Sequence, residues 1–196
     1  MSQMSKITNV LLVGVGGQGT ILASKILTHA ALAQGYRVKM SEIHGMSQRG
    51  GSVVTQVRMG EEVHSPVIDP GEADIIIAFE QLEAYRWAHF LRPDGVLIMN
   101  NQKIVPLPVL IGAAKYPATI INDLKEKVSK FVEMPAMQLA SKAGNSKSTN
   151  VVLMGTLSRY MDFPYEVWQN ALDARVPAKL LEVNKIAFAL GKQFGI

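Results

Sequence analysis

Residues 41–51 of this 196-residue chain, SEIHGMSQRGG, carry an acid, an imidazole, an amide and a guanidinium in one short stretch. The four side chains are Glu42, His44, Gln48 and Arg49. Arg49 could bind a carboxylate or phosphate through two parallel hydrogen bonds, and His44 could move a proton near neutral pH. Flanking apolar runs predict strands at 36–40 and 52–60, so the stretch is expected to form a loop between them. We call residues 41–51 the first polar segment.

A second group of candidate ligand-binding residues follows the first apolar run. The sequence GVGGQG occupies residues 14–19, and its spacing matches G-x-G-x-x-G between a predicted strand, 8–15, and a predicted helix that ends at Gly35. Glycines allow a tight turn with close backbone approach, and free N–H groups at a helix N-terminus attract an anion. The candidate contacts are Gly14, Gly16, Gly17, Gln18, Gly19 and Thr20.

This glycine turn leaves three interpretations open. A site for NAD(P) or FAD also needs an acid at the end of the second strand. Glu42 is the nearest acid, but it is expected to lie beyond that strand, within the first polar segment. Another anionic ligand is the second interpretation, and a tight turn that binds nothing is the third.

Residues 141–150, SKAGNSKSTN, form what we call the second polar segment. Gly144 is typical of a helix C-terminus, and Asn145 or Ser146 can cap the next helix. Capping alone would account for most of this composition. The alternative is a phosphate site, because Lys142 and Lys147 flank a new helix N-terminus, and its candidate contacts are Asn145 and Lys147.

The composition excludes several classes of function. The chain has 20 basic and 16 acidic residues, without a basic block of the kind that binds nucleic acid. It has no cysteine, which excludes disulfides, a Cys-ligated zinc site, a thiol nucleophile and an iron–sulfur cluster held by this chain alone. No apolar run approaches the roughly 18 residues that span a membrane. We therefore expect a cytoplasmic protein that binds neither nucleic acid nor membrane.

The pattern of apolar residues predicts an α/β fold. We expect a Rossmann-like, mostly parallel sheet flanked by helices, with a helical C-terminal segment, in a single domain over 1–196. The first strand, helix and second strand predict an adjacent parallel pair. Residues 61–72 are expected to include a hairpin return, 92–95 a turn, and 103–112 an edge strand or irregular segment. Further strands are predicted at 73–79, 96–100 and 128–135, and helices at 80–91, 118–127, 136–143, 147–161, 165–174 and 177–193.

Three stretches in compatible order resemble one known family. VGVGGQGTILASKIL, SEIHGMSQRGGSV and GNSKSTNVVLMGTL are similar to motifs in the gamma-type chain of 2-oxoacid:ferredoxin oxidoreductases, with the greatest likeness to members that act on indolepyruvate. The resemblance extends over almost the whole chain, to VPAKLLEVNKIAFALGKQF near its end.

The resemblance implies a subunit that is inactive alone. Such complexes decarboxylate a 2-oxoacid oxidatively with coenzyme A, form an acyl-CoA and pass electrons to ferredoxin. It implies that a larger partner subunit holds the thiamine diphosphate and the iron–sulfur clusters, and that this chain holds no cofactor by itself. His44, Gln48 and Arg49 would then complete the partner's active site, and the glycine turn with Asn145 and Lys147 would contact coenzyme A. A free-standing NAD(P)-dependent enzyme and a regulatory anion-binding module remain the alternatives.

Overall fold

The computed structural model describes residues 7–44 and 51–195. Within that part of the chain, six strands form one sheet in the order β2-β3-β1-β4-β5-β6. Strand β3 runs antiparallel to both of its neighbours, and β1, β4, β5 and β6 are parallel. The predicted mostly parallel α/β sheet is therefore confirmed. The strands are β1 (Thr8–Val15), β2 (Arg37–His44), β3 (Ser52–Gly60), β4 (Ala73–Ala78), β5 (Leu91–Asn100) and β6 (Lys130–Met134).

Helices cover both faces of this sheet. Apolar residues of α1, α5, α6, α7 and α8 form one core with Val10 and Leu12, while those of α2 and α4 form the other with Leu11 and Val13. The alternation along β1 sends successive side chains to opposite faces, as a central strand requires. The helices are α1 (Thr20–Ala33), α2 (Gln81–Trp87), α3 (Leu107–Leu110), α4 (Ile120–Lys127), α5 (Ala136–Lys142), α6 (Thr149–Leu157), α7 (Tyr165–Arg175) and α8 (Leu181–Gln193).

The predicted adjacent pair of β1 and β2 is wrong. The two strands point the same way, but β3 lies between them and pairs with both. The physical reason is the length of the connection, because only residues 45–51 separate β2 from β3. A parallel crossover needs about a dozen residues or more, so a shorter connection joins antiparallel neighbours.

Several predicted boundaries also need correction. Strand β2 continues to His44, so the first part of the first polar segment is strand rather than loop. Strand β5 begins at Leu91 and includes residues 92–95, which were predicted to form a turn. Its pairing with β4 shifts register between Ala73 and Ile75, opposite these residues. Residues 61–72 contain no strand, so no hairpin forms there. The segment 103–112 contains the one-turn helix α3 instead of an edge strand.

The C-terminal helices are close to their predicted positions, and two of them approach unusually closely. A Cβ atom added at Gly155 in α6 would lie 2.0 Å from the carbonyl oxygen of Phe188, and one at Gly191 in α8 would lie 1.9 Å from that of Val152. Each helix therefore presents a glycine to the backbone of the other. This contact holds α6 firmly behind the sheet, with the second polar segment at its N-terminus.

Candidate functional site

The glycine turn joins the carboxyl end of β1 to α1 through two residues in left-handed conformation. Gly17 has φ 98° and Gly19 has φ 80°, values that favour glycine strongly. No side chain caps α1, and its first turn contains no acidic residue. The first N–H groups of the helix therefore remain available to an anion.

The side chain of Gln18 links this turn by hydrogen bonds to the end of β4. Its Oε1 accepts a 2.8 Å hydrogen bond from Val15 N, and its Nε2 donates to the carbonyl oxygen of Phe79 at 3.1 Å. A Cβ atom at position 14 would lie 2.8 Å from Gln18 Oε1, so a larger residue there would displace this side chain. Gln18 thus has a structural role that the sequence did not reveal, and its contact with a ligand stays a prediction.

The second polar segment meets the glycine turn through Asn150 at the start of α6. Its Nδ2 donates to Gly19 O at 3.1 Å, and the residue is 3% exposed. A Cβ atom at Gly19 would lie 2.6 Å from the same nitrogen, so the turn and the helix fit only with glycine there. Two motifs that are far apart in the sequence are therefore adjacent in space.

A cavity of about 420 Å³, which we call the turn cavity, lies between these two motifs. Among the described residues, Lys147 is the one charged residue in its lining, and no carboxylate accompanies it there. None of the ion pairs among the described residues involves this lysine. The cavity is therefore positive in character and has hydrogen-bond donors on its walls. It is lined by Gly17, Gln18, Gly19, Phe79, Gln102, Met137, Ser146, Lys147 and Thr149.

Asn145 lies beside the turn cavity but not in its lining. Its Oδ1 accepts a hydrogen bond of 3.0 Å from Lys147 N, as expected for a residue that caps a helical turn. Gly144, with φ 107°, ends the preceding helix as predicted. Asn145 therefore positions Lys147 through the backbone, and its own contact with a ligand stays a prediction.

A second cavity, of about 380 Å³, lies on the other side of the glycine turn and contains Glu42 and His44. Glu42 belongs to β2, so its predicted position beyond the strand is wrong. It lies opposite Thr55, which in turn lies opposite Leu12. With β3 between them, Glu42 and β1 are two strand spacings apart, about 10 Å. This position differs from that of the ribose-binding acid in an adjacent second strand.

The first polar segment returns to the glycine turn at its end. Gly51 accepts a 3.0 Å hydrogen bond from Gly16 N, and His44 marks the end of β2 at the same edge of the sheet. Gln48 and Arg49 lie outside the described residues. Their predicted roles therefore remain predictions, while His44 is exposed at the border of the second cavity.

Two buried acids, Glu80 and Glu83, lie near this edge of the sheet. Glu83 is 1% exposed, accepts a 2.6 Å hydrogen bond from Ser52 Oγ and forms an ion pair of 2.6 Å with Arg86. Glu80 is equally buried and caps α2 by accepting from Glu83 N. Burial raises the pKa of the Glu80 carboxyl, although hydrogen bonds from backbone N–H groups oppose the rise. Burial, followed by the charge of Glu80, raises the pKa of Tyr116 to about 12.

Three residues that line the turn cavity were not predicted from the sequence: Phe79, Gln102 and Met137. Phe79 and Gln102 each lie just beyond the carboxyl end of a strand, at the edge where open α/β sheets bind ligands. The polar run at 100–102 directly after a buried strand was the available signal. Met137 gave no signal, because an apolar residue in a short helix resembles any other core residue.

The described ranges contain no cluster of three or more His, Asp or Glu side chains that could hold a metal ion. Over the same ranges, every helix is too short or too polar to cross a membrane.

Comparison with known proteins gives consistent matches along the chain. The family model described as pyruvate ferredoxin/flavodoxin oxidoreductase matches residues 9–194. The chain is 42% identical to "Indolepyruvate oxidoreductase subunit IorB" of Thermococcus kodakarensis over 190 residues, which cover 93% of each protein.

Solved structures show the same fold at lower identity. Pyruvate oxidoreductase subunit PORC from Thermotoga maritima matches with a TM-score of 0.71 at 20% identity, over 95% of each chain. The 2-oxoglutarate:ferredoxin oxidoreductase of Magnetococcus marinus, solved with 2-oxoglutarate, coenzyme A and succinyl-CoA bound, matches with a TM-score of 0.71 at 19% identity. That match covers 95% of this chain and 30% of the longer one.

Proposed function

The chain belongs to the pyruvate ferredoxin/flavodoxin oxidoreductase family, and we propose that it is the small subunit of a 2-oxoacid:ferredoxin oxidoreductase. Its proposed substrate is indolepyruvate or a related aryl pyruvate, in line with the identity to the IorB protein. Residues 1–196 would act as one cytoplasmic domain that completes the catalytic core of the complex and is inactive alone.

The turn cavity is the observation that carries the site assignment. It combines a lysine that forms no ion pair with the described residues, two glycines in left-handed conformation and a helix N-terminus without a side-chain cap. Each of these features favours a phosphate oxygen. Coenzyme A is the phosphorylated substrate of the proposed reaction, so we assign one of its phosphates to this cavity. The contacts proposed from the glycine turn and from Lys147 thus become one site instead of two.

An exposed apolar surface favours the proposed larger subunit as partner. Leu107, Leu110 and Ile111 are 68%, 69% and 68% exposed. They lie on and beside α3, which follows the carboxyl end of β5 at the same edge of the sheet as the glycine turn. A partner that covered this surface would bury these apolar side chains at the edge of the sheet that carries the glycine turn. His44 and Arg49 would approach the same partner from the first polar segment.

The redox cofactors are assigned to that partner. The thiamine diphosphate of such a complex would supply the decarboxylation chemistry. Iron–sulfur clusters need thiolates that this chain lacks. This chain's contribution is to bind and orient coenzyme A and to exclude water at the interface.

Co-purification tests this proposal directly. The tagged chain would be isolated from its native host, and the co-purifying proteins would be identified by mass and assayed for thiamine and iron. We expect a larger thiamine- and iron-containing chain, and reduction of ferredoxin that depends on both indolepyruvate and coenzyme A. Isolation of the chain by itself, with no such partner, would overturn the proposal.

The alternatives predict a different result from the isolated chain. A free-standing NAD(P)-dependent enzyme would bind the dinucleotide alone, and an anion-binding module would bind a phosphorylated ligand without turnover in any complex. The second cavity, with Glu42 near the glycine turn, is what keeps the dinucleotide alternative open. A melting temperature that rises with NAD(P) but not with coenzyme A would favour it.

A further inference from the structure

The side-chain amide of Gln102 has a fixed orientation at the wall of the turn cavity. Its Oε1 lies 3.3 Å from Asn100 Nδ2 and 3.4 Å from Gln18 Nε2. Both nitrogens are donors only, so the atom that faces them must be the amide oxygen of Gln102. The Nε2 of Gln102, with its two N–H groups, therefore faces away from them.

The two donors cannot turn to accommodate the opposite orientation. Asn100 is fully buried, also donates to Phe79 O at 3.1 Å, and accepts from Ala136 N at 3.1 Å. Gln18 is held by Val15 N and by the same Phe79 oxygen. A flipped Gln102 would set its own N–H groups against those of Asn100 and Gln18, and each of these two nitrogens would keep only its hydrogen bond to Phe79 O.

The outward-facing nitrogen is unused within residues 7–44 and 51–195. The hydrogen bonds of the Gln102 side chain there are the two that its oxygen accepts. Gln102 lines the turn cavity together with Lys147 and Gly17. The cavity wall thus contains a neutral donor whose direction is set by hydrogen bonds to Asn100 and Gln18, at the ends of β5 and β1.

We propose that Gln102 recognises the ligand of the turn cavity by donating from Nε2 to one of its oxygen atoms, while Asn100 and Gln18 act as positioning residues. This inference rests on the proposed binding of coenzyme A in the cavity. The acceptor is an oxygen of a phosphate group or of a pantetheine carbonyl group, since both offer the same lone pairs to an amide N–H.

The substitution Gln102→Glu tests the inference with little change of shape. One carboxylate oxygen can still accept from Asn100 and Gln18, while the donor that faces the cavity becomes an anionic acceptor. In the assembled complex we expect the KM for coenzyme A to rise about tenfold or more, with kcat at saturating coenzyme A nearly unchanged. Gln138→Glu is the matched control, because Gln138 is exposed on α5 beside Met137 and does not line the cavity.

A second variant and a second acyl acceptor sharpen the result. Gln102→Met removes the donor without adding charge, and a rise in KM of at least about threefold supports the inference if Gln102→Glu folds poorly. With pantetheine in place of coenzyme A, an unchanged KM in Gln102→Glu identifies a phosphate as the acceptor. An equal penalty with pantetheine identifies a carbonyl group.

The outcomes separate this inference from the proposed function. If Lys147→Ala raises the KM for coenzyme A while folded Gln102→Glu and Gln102→Met leave it unchanged, the role of Gln102 is overturned and the cavity assignment stands. If all three variants leave it unchanged, the assignment of coenzyme A to the cavity is overturned as well.

Discussion

The glycine turn and the crossing of α6 with α8 both depend on glycine, but for different physical reasons. In the turn, Gly17 and Gly19 supply left-handed backbone, and no atom of residues 7–44 or 51–195 lies within 4 Å of a Cβ built at Gly17. In the crossing, Gly155 and Gly191 have ordinary helical backbone, and a Cβ atom there would meet a carbonyl oxygen of the other helix. The first region uses glycine to adopt left-handed backbone beside the turn cavity, and the second uses it to let two helices approach closely.

This difference explains how the two regions cooperate. The tightly packed helix pair fixes the position of Asn150, and Asn150 in turn holds the carbonyl oxygen of Gly19. The turn cavity is thus supported by a rigid element on one side and by the network around Asn100 on the other. An open, polar site can keep its geometry because a dry, close-packed contact stands directly behind it.

The largest expected effect comes from Gly191→Ala in the helix crossing. Alanine is the better helix former, by about 1 kcal/mol, so propensity alone predicts a more stable protein. The contact with Val152 predicts the reverse, a loss of about 3 kcal/mol or more in the free energy of unfolding, because the facing atom is backbone and cannot rotate away. Urea denaturation measures the difference. A stabilised variant would show that the helices are farther apart than described.

Gly19→Ala should have the next largest effect. The alanine would adopt φ 80°, and its Cβ would lie 2.6 Å from Asn150 Nδ2. The cost of the strained backbone is therefore added to the cost of the steric overlap. We expect Gly19→Ala to lower the free energy of unfolding by about 2 kcal/mol. Gly17→Ala should lower it by about 1 kcal/mol, because only the left-handed backbone conformation is strained there. Thermal unfolding of both variants tests the ranking. Equal losses would show that the contact with Asn150 contributes nothing.

Lys147→Ala should change function while leaving stability nearly intact, because this side chain is exposed and forms no ion pair with the described residues. Loss of a charged contact with phosphate predicts a rise of about tenfold in the KM for coenzyme A in the assembled complex, or about 1.4 kcal/mol. Lys142→Ala is the control, since Lys142 is exposed at the end of α5 outside the cavity lining. A similar rise in both variants would indicate a general effect of charge.

The smallest effect concerns pH and the buried acid at the site edge. Because burial raises the pKa of Glu80 in the folded state, folding favours its protonated form. Its contribution to the free energy of unfolding should therefore decrease as pH rises from about 4.3 through the raised pKa. Glu80→Gln should remove that part of the pH dependence, measured as stability between pH 4 and pH 8. An unchanged slope would assign the dependence to other groups.

Local patterns made the glycine turn and the C-terminal helices predictable. The turn has a fixed spacing between a strand and a helix, and Pro164 and Pro177 precede the last two helical segments. The insertion of β3 between β1 and β2 was not predictable in this way, because strand order depends on contacts between distant residues. Gln102 was missed for the same reason, since its partner Gln18 lies 84 positions away in the sequence.

The helix crossing shows a further limit of sequence reasoning. Gly155 and Gly191 each interrupt an otherwise good helical pattern, and a single glycine in a helix does not reveal what approaches it. For the first polar segment, the sequence identified the chemistry of Arg49 and Gln48, which lie outside the described residues. Only its two ends, at His44 and Gly51, are located here, and both lie at the site-bearing edge of the sheet.

A structure of the assembled complex with coenzyme A bound would test the central claim most directly. We predict a phosphate group in the turn cavity, within hydrogen-bond distance of Lys147 Nζ and of the N–H groups at the start of α1. Coenzyme A bound entirely by the larger subunit, with the turn cavity filled by a side chain of that subunit, would contradict the claim.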